Sequence, residues 1–485
     1  MPTPLAGSYG AAVILALLAL CPNIVFTTAF PLLLPGIAHG LGTSEFFPQL
    51  GEALSNAAYS FGAVAAADLA QRFSQRRLFI IYEAIFIVGS ILALFAPGPA
   101  AFVLGRILQG LGTGLLLVSA LPPLVTNFPA AKLPVTAIWV NIGLFGAVTV
   151  GPFVGGLVAH FEAWRALFAG LAVLGIGGFA LALATLELQP GDDPGQPIDW
   201  LAFPLAIAAT ALPFFGVTWL GVSSFMSPGF IAPVVLGLAA LGALIVMQYR
   251  KRQAFIPVGP LFSTFPVCGI LAAMVGGATS VTLLELTIAY LTRVAHYDPF
   301  MTGLLFLPEF LGLIVAAYLF RHMLATRGLP ALALSGLAAI IAGAALLIPL
   351  TPARAPFLVP IAAALLGYGS GSAVAPGLFM AGMSVFSTKL GRTFALVELL
   401  RAEAAFLVGP VLLSLAVALA PPLGDSLRLS LWATLGIGVF GIAAIVILLA
   451  LGGVWPRRPD LQEWLERGGR ALHSPPLAAF LRSRR

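Results

Sequence analysis

The feature that most constrains this chain is its series of long stretches with little or no charge, among them Tyr9 to Gly36, Phe79 to Leu94, Phe230 to Met247 and Leu431 to Leu451. About 20 apolar residues let a helix cross roughly 30 Å of hydrocarbon. A helix also satisfies its own backbone hydrogen bonds where lipid offers none. The stretches lack the ten-residue alternation of barrel strands, so an all-α polytopic membrane protein is expected. Composition agrees: 60% of the 485 residues are hydrophobic and 9% charged, against about a quarter charged in soluble domains. The 53 Gly and 38 Pro suit close helix packing and kinks within membranes.

Cutting at charged or turn-rich breaks predicts fourteen spans near 9–38, 46–70, 78–96, 102–126, 135–159, 165–187, 200–221, 229–249, 266–292, 299–320, 329–350, 355–384, 393–420 and 428–453. With both termini cytoplasmic, the inner loops take Arg72, Arg76, Arg77, Lys132, Arg250, Lys251, Arg252, Arg321, Arg327, Lys389 and Arg392. The outer loops keep Arg165, Arg293, Arg354 and Arg428. That asymmetry follows the positive-inside rule, and an odd number of spans could not alternate it so cleanly. The net charge of +6 is thereby explained without nucleic acid. No charged leader or cleavage site accompanies the first apolar run, so it is read as a retained span of a cell (inner) membrane protein. The tail contains Trp464 and Leu465 beside Glu463, Glu466 and Arg467, and is expected to form a short amphipathic surface helix with a basic end near anionic lipid.

An internal repeat is visible. Gly110-Leu111-Gly112-Thr113-Gly114 in the fourth span and Gly367-Tyr368-Gly369-Ser370-Gly371 in the twelfth lie 257 residues apart, and Val150-Gly151-Pro152 meets Val408-Gly409-Pro410 at 258. Parallel halves of this kind place a substrate site near the midplane where they meet. The expected organisation is a six-helix half over 1–190, a linker with two inserted helices over 191–255, a second six-helix half over 256–455, and a cytoplasmic tail over 456–485. The linker carries Asp192-Asp193-Pro194-Gly195.

These motifs resemble the major facilitator superfamily, and within it the fourteen-helix drug:proton antiporters. Arg106-Ile107-Leu108-Gln109-Gly110-Leu111-Gly112-Thr113-Gly114 is similar to an R-x-x-Q-G-x-G-x-G motif, and Gly151-Pro152-Phe153-Val154-Gly155-Gly156 to the G-P-x-x-G-G antiporter motif. Trp164-Arg165 with Phe168, Asp199-Trp200-Leu201 and Gly303 to Pro308 extend the likeness. Two places depart from it. The loop after the second span has Gln71 where the family has an acid, with Asp68 one helical turn earlier; the first span has Asn23 before Thr27-Thr28-Ala29-Phe30-Pro31 in a region where relatives carry an Asp.

The resemblance implies gating roles for Asp68, Arg72, Arg76, Gln109, Gly110, Gly114, Gly151, Pro152, Gly155 and Gly156. Ionisable groups at membrane depth are functional candidates because leaving them there unpaired is expensive; here they are Glu52, Arg106, Glu285, Glu309, Glu398, Arg401 and Glu403, with Glu83 ranked lower. A carboxyl that alternates between wet and dry surroundings can take up and release a proton. Glu309 and Glu285 lead as carriers. Glu398 and Arg401, three apart, share a helix face and are expected to pair. Glu403 is rotated away and either faces the pathway or pairs with Arg106. Asn23, Thr27, Asn56, Tyr59, Asn141, Tyr290 and Tyr368 are the candidates for lining a substrate cavity.

Cys21 and Cys268 lie in apolar surroundings, and the five His are scattered, so neither a metal nor another cofactor is expected. No phosphate-binding G-x-x-x-x-G-K-[ST] loop occurs, and no nucleophile and base stand together, which points away from ATP-driven transport and from an enzyme. The expected partners are a small-molecule substrate, protons and membrane lipids, with the chain acting as a monomer. Three functions remain open: proton-coupled export of amphipathic or lipophilic compounds, export or flipping of one endogenous lipid or metabolite, and a non-transporting scaffold or receptor on the same fold.

Overall fold

The computed structural model describes residues 4–188, 199–251, 258–419, 422–477 and 479. The Asp192-Asp193-Pro194-Gly195 linker, Arg252 and the last three arginines lie outside them. Among the described residues there is no strand, only one isolated bridge between Ser263 and Pro476.

The helices run α1 Tyr9–Gly40, α2 Phe46–Arg72, α3 Gln75–Leu94, α4 Pro99–Thr126, α5 Leu133–His160, α6 Trp164–Thr185, α7 Ala202–Trp219, α8 Pro228–Arg250, the short α9 Val258–Leu261, α10 Thr264–Arg293, α11 Pro299–Leu305, α12 Pro308–Met323, α13 Leu329–Leu347, α14 Ala355–Met383, α15 Leu390–Ala418, α16 Leu423–Gly452 and the short α17 Leu461–Leu465. Thirteen are long and apolar enough to cross a membrane, counting α11 and α12 as one interrupted span. The fourteenth expected span, α2, is 27 residues long but fails on polarity, because it buries Glu52, Ser55, Asn56, Ser60 and Asp68. The protein is an integral membrane protein.

Local chemistry sets the ends. Ser74 receives the Arg77 amide at 3.4 Å to start α3. Ser227 and Pro228 open α8, and Asp298 and Pro299 open α11, each acid or hydroxyl accepting an amide two residues on. Proline at the first helical position is pre-set for the turn and forfeits no bond. Gly453 closes α16 in the left-handed region at φ 68°, where glycine meets no steric penalty. The tenth expected span differs from its reading as one helix. Pro308 has no amide to donate to the preceding turn, so the chain passes through three-residue turns from Gly303 into the first turn of α12.

Packing divides the chain into two compact units, one of Met1–Leu124 with Val154–Ile256 and one of Val125–Phe153 with Pro257–Arg485. One boundary falls near the end of α4 and another inside α5. The first unit is centred on rings from α1, α4 and α6: Phe168 lies 4.7 Å from Phe26 and 5.7 Å from Phe102, with Trp164 beside Phe102 and Phe168. Arg165 clamps the end of α3 by donating to the carbonyls of Leu94 and Ala96 at 2.6 and 3.1 Å while lying over Trp164. In the same unit α7 packs on α2 and α8 packs on α7. Few residues of α8 are buried, and Val235, Leu236, Leu238 and Val246 are exposed, as suits a helix whose solvent is lipid.

The second unit joins α10, α12, α13, α14, α15 and α16, with buried Phe320, Phe379 and Phe394 meeting edge to face. Its irregular turns extend the repeat. A three-residue 3-10 turn, Ala130–Lys132, leads into α5, and another, Ser387–Lys389, leads into α15, again 257 residues apart.

Candidate functional site

In the first unit Arg106 and Glu52 anchor one connected polar network. Arg106, wholly buried on α4, donates to Glu52 of α2 at 2.7 Å, to Asn23 of α1 at 3.0 Å and to Gln109 at 2.5 Å. Its guanidinium also lies 4.1 Å from the Phe26 ring. Gln109 passes the chain on to Ser90 of α3 at 2.8 Å, and Asn56 approaches the other Glu52 oxygen at 3.5 Å. Arg106 thus finds its counter-charge in Glu52, a residue the sequence had not set beside it. Ser90 was not singled out in the sequence; a serine among apolar neighbours on α3 carries no signal until Gln109 is seen to reach it.

The glycines of α4 explain how those groups meet. A methyl at Gly110 would collide with the backbone carbonyl of Ser55, and one at Gly114 with that of Tyr59, while Gly62 of α2 faces the Leu111 carbonyl in return. Backbone therefore lies on backbone along the α2–α4 seam, which small residues permit. Asn56 and Tyr59 are buried there. Thr27 keeps a buried hydroxyl without a hydrogen-bond partner.

In the second unit Glu309 begins α12 just past the break and is 1% exposed. Its Oε2 has no hydrogen-bond partner. Gly367 of α14 lies against the Glu309 backbone, so the second glycine motif repeats the work of the first. Tyr368 shares a 2.8 Å hydrogen bond with Ser335 of α13. Asn141, fully buried on α5, donates to the Gly371 carbonyl at 3.0 Å. Tyr290 donates to the Leu350 carbonyl at 3.1 Å and so ties α10 to the end of α13.

The α10–α15 seam holds the other candidates. Glu285 of α10 rests against Gly409, and Arg401 of α15 rests against Gly277. The two contacts share a spacing of eight residues, about 12 Å along each helix at 1.5 Å per residue. Glu398 accepts two bonds from Arg401, as their spacing predicts, one of them at 2.9 Å. Glu403 is buried with Oε1 unpartnered.

Asp68 accepts from Arg72 at 2.8 and 3.0 Å within its own helix. Around the same turn Gln75 donates to the Ser119 carbonyl at 2.9 Å and Arg76 to the Leu183 carbonyl at 3.3 Å, linking α2, α3, α4 and α6. In the antiporter-like motif, Gly155 lies against Ala29 of α1, and the Pro152 carbonyl receives Gly303 of α11, with Phe153 and Phe300 6.1 Å apart. Outside the spans, Asp199 meets Lys251 at 2.6 Å and Gln248 at 2.9 Å. Burial alone would raise its pKa, but these bonds, the lysine charge and the Ala202 amide outweigh burial and hold it below the ordinary aspartate value. Among the described residues no three His, Cys, Asp or Glu are grouped to hold a metal ion.

The family model described as Major Facilitator Superfamily matches residues 15–410. The chain belongs to this family. Among similar curated proteins, the drug efflux pump JefA of Mycobacterium tuberculosis (strain ATCC 25618 / H37Rv) is 29% identical over 71% of this chain and 69% of its own. The multidrug resistance protein Stp of the same strain is 27% identical over 71% and 65%. The uncharacterised MFS-type transporter YubD of Bacillus subtilis (strain 168) is 27% identical over 63% of this chain, and the match spans only 60% of YubD. Solved facilitator folds superpose widely at low identity. A POT family transporter in complex with a thioalcohol-conjugated peptide covers 92% of this chain and 96% of its own at 13% identity, with TM-score 0.65. The proton:xylose symporter XylE covers 91% and 96% at 13% identity, with TM-score 0.60. At such identity these structures attest the facilitator fold alone.

Proposed function

We propose that this superfamily member is a secondary active exporter that moves amphipathic or lipophilic small molecules by alternating access in exchange for protons. The observation that carries the reading is Glu309, a carboxyl at a helix break in mid-span, buried with one oxygen unpartnered. Burying a lone carboxylate is expensive, and a bound proton removes most of that cost. A site of this kind is loaded when it is dry and emptied when it meets water. Glu285 is the second carrier, and the Glu52–Arg106 network is the first unit's responsive counterpart. Relatives named for drug efflux and multidrug resistance support export.

The reading includes a single working chain in the cell membrane with both termini cytoplasmic, six-helix halves over 1–190 and 256–455, an insert over 191–255 and a tail over 456–485. Its partners are substrate, protons and lipid. Asn23, Thr27, Asn56, Tyr59, Asn141, Tyr290 and Tyr368 supply polar groups to the pathway. The deciding experiment is substrate efflux driven by an imposed proton gradient in proteoliposomes. The wild-type chain should couple the two flows, and the double variant Glu309→Gln with Glu285→Gln should lose gradient-driven efflux while still exchanging substrate. Undiminished gradient-driven efflux in the double variant would overturn the assignment. A screen of lipophilic cations against endogenous lipids and metabolites, read as thermal stabilisation, separates a broad exporter from a dedicated one.

A further inference from the structure

Glu83 is a membrane-depth acid that the transport reading leaves unused. It stands eight residues beyond Gln75, the first residue of α3, or about 12 Å along the helix at 1.5 Å per residue. It is 0% exposed, and neither carboxyl oxygen has a hydrogen-bond partner. The carboxyl fills the gap left by the missing side chain of Gly178 on α6, where an added methyl would meet Oε1 first. One turn away, Gly175 receives Phe86 and Ile87 of α3 in the same manner. The seam is therefore antiparallel, and an arginine fastens each end. Arg76 donates to the Leu183 carbonyl at 3.3 Å, and Arg165 to the Leu94 and Ala96 carbonyls at 2.6 and 3.1 Å. All of these residues belong to the first unit.

Among the described residues no cation is bonded to this carboxyl. The helix α3 packs on α6, α4 and α2. Arg165 is the charged residue of α6 and Arg106 that of α4, and both are committed, Arg165 to the carbonyls at one end of the seam and Arg106 to Glu52. From α2 come Glu52 itself and the Asp68 pair with Arg72. On α3, Arg76 holds the Leu183 carbonyl, Arg77 is exposed, and the buried Tyr82 hydroxyl has no partner of its own. A carboxylate deprived of both water and partners costs far more than the neutral acid, so a closed seam of this kind retains the proton.

We propose that Glu83 is a proton-binding site in its own right, and that the α3–α6 seam closes over the neutral acid and parts in its middle when the proton leaves. On release the carboxyl O–H bond breaks, the proton passes to water that has entered the seam, and the carboxylate keeps that water only while the two helices stand apart. Rising pH thus loosens the seam around Gly178 between arginine ends that hold. The proposal does not rest on the export reading, because Glu83 is none of the groups assigned there to coupling or to substrate.

The experiment is backbone hydrogen exchange of the full chain in lipid nanodiscs, read on the α6 amides from Gly175 to Ala182. Rates are taken as a ratio of wild type to Glu83→Gln at each pH, which cancels the intrinsic pH dependence of exchange. The ratio should rise at least about ten-fold between pH 6 and pH 8, because an opened seam ionises near the ordinary glutamate value of about 4.3 while the closed one keeps its proton. A flat ratio would overturn the proposal, as would faster exchange in Glu83→Gln at every pH, which would make the ionised form the one that holds the seam. A second measurement needs no variant. Dicyclohexylcarbodiimide, itself apolar, adds the O–H of a neutral carboxyl across one C=N bond with no leaving group. Peptide mass mapping should find Glu83 labelled at pH 6 and at least about five-fold less at pH 9. No label on Glu83 at pH 6, or equal label at both, counts against the site.

Discussion

Removing the Glu52 charge should expose how strongly the first unit depends on its buried pair. Arg106 is wholly enclosed, with Glu52 at 2.7 Å as its only counter-charge among the described residues and Asn23 and Gln109 as neutral acceptors. Glu52→Gln keeps the shape and one hydrogen bond but strands the guanidinium. Losing a charge-assisted bond is worth about 1.5–3 kcal/mol, and leaving a buried charge unpaired brings the loss to about 3–5 kcal/mol. Asn23 and Gln109 soften it, so about 3 kcal/mol is expected for Glu52→Gln and about 4 for Glu52→Leu. Arg106→Met combined with Glu52→Leu removes both charges and should recover about 2 kcal/mol or more relative to Glu52→Leu alone, because two packed apolar chains replace the pair. The assay is a double-mutant cycle on thermal unfolding of the purified protein at one fixed scan rate in one detergent. If the two single penalties simply add, within about 0.5 kcal/mol, the pair is not what stabilises this network.

Gly367→Ala should lower apparent thermal stability by about 1–3 kcal/mol through overpacking, and it should reduce efflux, since the added methyl meets the Glu309 backbone; normal stability and efflux would refute the seam. Asp199→Asn should destabilise the chain by about 0.5–1 kcal/mol at pH 7. The folded pKa of Asp199 lies below the unfolded value of about 3.9, so its contribution is present above that value and lost as pH falls through the folded pKa. The difference in melting temperature between Asp199→Asn and wild type should therefore shrink only under acid conditions. Arg165→Lys forfeits the planar fork that reaches two carbonyls and should weaken the α3–α6 junction by about 1–2 kcal/mol, seen as earlier local hydrogen exchange at Leu94 to Ala96.

Much of the fold was legible in the primary structure because lipid imposes a simple rule on length and charge. Helix positions followed from apolar runs and the charged or turn-rich breaks between them. The pair of 3-10 turns 257 residues apart was hidden by unlike sequences, Ala-Ala-Lys and Ser-Thr-Lys. The ion pair of Glu398 with Arg401 could be read because both lie on one helix. The partner of Arg106 could not, since only the approach of α2 to α4 brings Glu52 to it. The break before Glu309 was signalled by Pro308, yet an unbroken apolar run masks such a turn. The burial of Trp464 was hidden for a related reason: it stands among charges, and its bond to the Val385 carbonyl uses a backbone partner that no side-chain pattern records.

The glycine seam between α2 and α4 has a mechanical corollary. A side chain at an interface yields to a push by changing rotamer, and the displacement dies out within a residue or two. Where carbonyl meets bare Cα, as at Gly110 and Ser55 or Gly114 and Tyr59, no such cushion exists. Any shift of α2 reaches α4 almost undiminished, so Glu52 and Arg106 travel together as a rigid coupling rod, and the stiffness of that rod is set by the absence of a single methyl group.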